Sequence, residues 1–100
     1  MKPNMNTPWG HADEAIVIAP GITKYYTPSH GGYLLSPERR SQMPAHLRDV
    51  PTFAGSNWYE EDCDWALVAL SFPEHFAPEV MDAAGKTLAW MKINSPRFKD

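Results

Sequence analysis

The segment Trp58-Tyr59-Glu60-Glu61-Asp62-Cys63-Asp64-Trp65 packs four carboxylates, two indoles, a phenol and the chain's only cysteine into eight positions. Carboxylates this close repel one another unless a cation, a helix N-terminus or a basic partner offsets them. The segment lies inside a longer run, Asp49 to Asp82, that holds eight acidic residues and no Lys or Arg. Three kinds of chemistry can be weighed on it: cation binding, thiol or acid–base catalysis, and docking onto a basic macromolecule.

A hard metal ion needs several oxygen ligands converging on one point. On a helix, consecutive acids point in different directions, so only Glu60 and Asp64 at i,i+4 could share an ion. There is no Asp-x-Asp-x-Asp loop, and His11, His30, His46 and His75 lack metal-ligand spacing. No metal and no cofactor is expected. Cys63 near a helix start could have a depressed pKa, but Glu60, Glu61, Asp62 and Asp64 all disfavour its thiolate. An acid–base site would need His30 to approach Glu61, Asp62 or Cys63. His30 stands in Thr27-Pro28-Ser29-His30-Gly31-Gly32, where Gly31 and Gly32 read as the glycines of a tight hairpin turn. No P-loop, dinucleotide or nucleophile-elbow motif is present. The docking reading uses Trp58 and Tyr59 as anchors. Glu60, Glu61, Asp62 and Asp64 would steer a basic partner.

The elements that must position these residues are short. Residues 1–13 read as an irregular arm docked by Trp9. Ala15–Ala19, Ile22–Thr27 and Tyr33–Leu35 read as strands of an antiparallel meander over 14–36, with turns at Pro20-Gly21 and at the paired glycines. Residues 37–93 read as helical. Ser36-Pro37-Glu38 starts a helix with a serine cap and proline at its first position, and Pro44 limits it to about two turns. Ala45 to Gly55 reads as a loop broken by Pro51 and Gly55. Asn57-x-x-Glu60 fits a capping box opening a helix from Trp58 to Phe72, stopped by Pro73. Its apolar half, Trp65–Leu70, would be central in the core. A last helix over Pro78–Met91 carries the stripe Val80, Ala84, Leu88, Met91. The fold class is α+β: a small three-stranded antiparallel sheet followed by two or three helices packed on one face.

Composition sets the limits. One hundred residues make one domain with a single modest core. A net charge of −3 argues against non-specific nucleic-acid binding, which needs a basic patch. One cysteine excludes an internal disulfide and suits a reducing cytosol. No apolar run reaches membrane-spanning length. The last fifteen residues carry Lys86, Lys92, Arg97 and Lys99 against one acid, Asp100. An acidic middle and a basic end complement each other well enough for a homodimer.

Trp9-Gly10, Pro20-Gly21-Ile22, Thr27-Pro28-Ser29-His30-Gly31-Gly32-Tyr33, Met43-Pro44 and the Trp58–Trp65 segment together resemble a small uncharacterised domain family carried by bacteriophages and conjugative plasmids. The similarity covers about residues 8–76. It implies a short accessory protein of a mobile element acting in the bacterial cytoplasm. His30, Glu61 and Asp62 match its two motifs and carry over as candidate functional positions. By analogy of genetic setting, it implies an inhibitor of host defence of the anti-CRISPR kind. The expected activity is binding of a host protein with a basic surface. The alternative is a small hydrolase-like enzyme using His30 with Glu61, Asp62 or Cys63. A third reading makes both motifs structural, with His30 hydrogen-bonded to the acidic segment.

Overall fold

The computed structural model describes residues 5–50 and 57–94. The breaks expected at Pro51 and Gly55 and the basic residues Arg97 and Lys99 lie outside them. The fold is α+β, as the strand and helix signals imply. The sheet is larger than expected, with four antiparallel strands in the order β3-β4-β5-β6: β3 Glu14–Ala19, β4 Ile22–Tyr26, β5 Gly31–Leu35 and β6 Trp58–Glu60. Ahead of it, β1 Asn6–Thr7 and β2 Gly10–His11 form a small hairpin in the arm read as irregular. Thr7 Oγ1 builds its turn by donating to the Gly10 carbonyl at 2.6 Å and accepting from the Trp9 amide at 3.1 Å.

Pro20-Gly21 joins β3 to β4. Gly21 takes φ +82°, and its carbonyl accepts the Ser36 amide at 2.9 Å. A proline followed by a positive-φ glycine is the sequence pattern of a type II turn. The next turn is closed by Thr27, whose amide and hydroxyl both donate to the His30 carbonyl, at 2.8 and 2.6 Å.

The fourth strand falls within the stretch read as helical. Trp58 and Tyr59 are good strand formers, and they pair with β5 in the register Gly32↔Glu60, Tyr33↔Tyr59, Leu34↔Trp58. Gly32 makes this possible, and Gly31 lets β5 lie close to β4. A Cβ on Gly32 would collide with the Tyr59 carbonyl and lie 2.5 Å from Trp9 Cη2. A Cβ on Gly31 would lie 2.7 Å from the Tyr25 carbonyl. The capping-box match misled because Glu60 does not reach back to a helix start. It caps the turn that follows it.

Ser36 caps α1, Pro37–Gln42, by accepting the Arg39 amide at 3.1 Å. A short α2, Ala45–Arg48, occupies part of the expected loop. The core helix α3 spans Trp65–Ser71, and Ala66, Leu67, Val68 and Ala69 are all fully buried. Leu67 and Val68 face the sheet core of Ile22, Tyr33, Leu35 and Tyr59, with Met43, Leu47 and Phe72 around them. Ala66 and Ala69 meet Ala84 of α4, Pro78–Asn94, so small side chains let the two helices approach. The expected stripe on α4 faces inward, with Ala84 and Met91 fully buried. Among the described residues no helix is long and apolar enough to cross a membrane.

Candidate binding face

Strand pairing between β5 and β6 brings the two motifs side by side. Tyr59 and Glu60, proposed as surface residues, are buried, at 1% and 8% exposure, and Asp64 is completely covered. The alternation of β6 explains Tyr59, which points into the core and sets its hydroxyl 3.4 Å from Met43 Sδ. Glu60 is used up locally. Its Oε2 accepts the Asp62 amide at 2.9 Å, and its Oε1 accepts the Cys63 and Asp64 amides at 2.8 and 3.2 Å. One carboxylate thus satisfies three amides of the turn that leads into α3. Burial pushes the Tyr59 phenol up; neighbouring Arg40 opposes this, and Asp64 adds to it. Trp58 is half-buried in an aromatic cluster, 5.6 Å from Trp9 edge-on and 5.3 Å from Tyr25. Trp9 does dock the arm, as expected, by lying over Gly32. Of the expected docking residues, only Glu61 and Asp62 are exposed.

These two side chains line different grooves. Glu61 lines a groove of about 360 Å³ walled by Tyr26, Tyr33, Trp65, Phe76 and Val80, with Lys24 in it. Asp62 and Cys63 line a second groove of similar size with Lys86, Thr87 and Trp90 of α4. Trp90 is 56% exposed. The turn is therefore an acidic ridge between two partly aromatic grooves. The Glu61 carboxylate reaches back over β5, where a Cβ on Gly31 would come within 3.1 Å of Oε2. The Glu61 amide donates to the Gly31 carbonyl at 2.9 Å.

No motif in the sequence marks Lys24 as a site residue. Its ammonium lies 5.0 Å from the Tyr26 ring centre and 5.6 Å from that of Tyr33. Burial alone would lower its pKa, but hydrogen bonding and charge from Tyr26 and Tyr33 raise it on balance. The groove thus holds a persistent positive charge enclosed by π faces, with a carboxylate at its rim. Strand alternation carries the signal for this: Ile22, Lys24 and Tyr26 share one face, and Ile22 is a core residue. Tyr33 and Phe76 complete the wall at 5.9 Å, edge to face.

No single groove brings His30, Glu61, Asp62 and Cys63 together. The exposed His30 is held through its backbone by Thr27, and no ring hydrogen bond ties it to the acidic segment among the described residues. The tie between the motifs that was assigned to this ring is made instead by the Gly31 and Glu61 backbones. Glu61 sits in one groove, Asp62 and Cys63 in the other, and His30 lines neither. Among the described residues no three His, Cys, Asp or Glu side chains converge as a metal-holding group.

No curated protein and no solved structure matches this chain. A family model described as a domain of unknown function, DUF7007, matches residues 2–94. With nearly its whole length covered, the chain belongs to the DUF7007 family.

Proposed function

We propose that this chain is a binding protein that docks on a partner with a basic surface. The observation that carries the reading is the Glu61–Asp62 ridge flanked by two grooves with aromatic walls. Exposed carboxylates attract and orient a basic surface. The flanking rings of Tyr26, Trp65 and Trp90 supply the apolar anchors that hold it. These rings replace Trp58 and Tyr59, which the fold consumes. The partner class is a host protein in the bacterial cytoplasm, and inhibition of a host defence system is the most specific form of the reading. That last step rests on the resemblance to mobile-element domains alone.

Affinity capture with the full chain, compared with Glu61→Ala/Asp62→Ala and with Asp82→Ala as an exposed acidic control, tests this. A protein held by the wild type and the control, lost by the double variant and released by moderate salt, supports it. Purified partner should then bind with an on-rate that falls steeply with ionic strength. Identical capture by the wild type and the double variant overturns it.

A further inference from the structure

We propose that two copies of this chain pair through the outer edges of their β3 strands, antiparallel about a twofold axis at Ile16. Among the described residues the strand order gives β3 one neighbour, β4, so pairing would extend each four-stranded sheet into one of eight.

Alternation of the ladder shows which backbone groups face outward. Thr27 bonds His30 across the β4–β5 turn, while Gly31 and Leu35 bond toward β6 and its flank. In an antiparallel ladder both groups of a residue turn to the same side, and the side alternates. Tyr25 and Thr23 therefore bond β5, and Tyr26 and Lys24 turn to β3. Their partners Glu14 and Ile16 bond inward. The amide and carbonyl of Ala15 and Val17 are left facing away from the sheet.

Such an edge is usually blunted by Lys, Pro, a bulge or a covering segment. β3 reads Glu-Ala-Ile-Val-Ile-Ala, with no Lys, Arg or Pro. Its bulge comes after Val17, so Glu14–Val17 is regular. Ile16 and Val17 are 42% and 59% exposed.

The ends of the strand favour a second copy over another protein's strand. A twofold at Ile16 sets Ala15 opposite Val17, uses all four outward groups in each copy, and stacks Ile16 on Ile16. It also sets exposed Glu14 opposite Ile18 of the second copy. That end of β3 leads into Pro20, whose carbonyl accepts from Arg39 Nε at 2.8 Å. Each carboxylate then lies toward the strand end where the other copy carries its Arg39 guanidinium, so the charges at both ends of the seam are complementary. The β3 edge lies across the sheet from β6 and the Glu61–Asp62 ridge, so this pairing is independent of the docking reading.

Sedimentation of the full chain over a concentration series tests the pairing, with circular dichroism and urea unfolding to report folding. The wild type should sediment as a concentration-dependent dimer that weakens with salt. Val17→Pro removes an outward amide that has no partner among the described residues, and Ile16→Lys puts two charges on the axis. Each should raise the dimer dissociation constant roughly tenfold or more while leaving a folded monomer. Ile16→Lys decides the matter if Val17→Pro fails to fold. A wild type that stays monomeric at millimolar concentration, or a dimer unchanged by folded Ile16→Lys, overturns the proposal. So does exchange of the β3 edge onto another protein's strand in preference to a second copy.

Discussion

The Glu60 carboxylate holds the Cys63 amide at 2.8 Å, and this contact turns a strand into a helix within four residues. The same oxygen also takes the Asp64 amide, and its partner oxygen takes that of Asp62. Charge-assisted hydrogen bonds of this kind are stronger than neutral ones. Removing the side chain leaves amides without acceptors in a part-buried turn.

Glu60→Ala should therefore destabilise the protein by about 1.5–3 kcal/mol, the range for hydrogen bonds to a charged group. Glu60→Gln keeps an acceptor oxygen and should lose less. Glu61→Ala, one residue on and exposed, should unfold close to the wild type. Urea titration of the three variants measures the ranking, and equal midpoints for Glu60→Ala and Glu61→Ala would contradict the cap.

Gly32→Ala should destabilise by roughly 1–3 kcal/mol through overpacking against Trp9 and the Tyr59 carbonyl. Gly85→Ala should do the opposite. It sits inside α4 with nothing within 4 Å of an added Cβ, and alanine in a helix interior is favoured by about 0.5–1 kcal/mol. Thermal unfolding of the pair gives shifts of opposite sign.

Ala84→Leu should destabilise by about 1–3 kcal/mol because α3 and α4 meet through small side chains. Ala83→Leu, exposed on the same helix, serves as the control and should be near neutral. Unfolding midpoints of the two variants separate packing at the crossing from helix propensity.

Burial pushes the phenols of Tyr25, Tyr33 and Tyr59 above their ordinary 10.0. The folded chain then holds these protons more tightly than the unfolded chain does. The stability they contribute is complete below pH 10 and is lost as pH rises through the folded values. Lys24, also raised, acts in the same direction. Stability should fall above pH 10, and most tyrosinate absorbance should appear together with the loss of circular dichroism. Full ionisation of all four tyrosines while the fold persists would contradict this.

Local chemistry decided the elements whose signals are short-ranged. The serine cap and proline of α1, the Pro20-Gly21 turn, the apolar run of α3 and the stop at Pro73 each act within a few residues. Sequence alone was enough to place them. The acidic run was equally plain as a run, but its fate was not. Whether Glu60 faces water or caps a turn depends on Tyr59 entering the core, and that depends on β5. Gly31 and Gly32 are remote in sequence and could be read only as a turn. In the folded chain Gly32 leaves the gap that β6 and Trp9 fill, and Gly31 lies against the Tyr25 carbonyl and the Glu61 side chain. The added strand turns Tyr59 into the core, the turn that follows folds its amides onto the Glu60 carboxylate, and of the four acids Glu60 and Asp64 end up buried while Glu61 and Asp62 stay outside. Composition determined that negative charge would be concentrated here. The pairing of two distant strands decided which of those charges meet solvent.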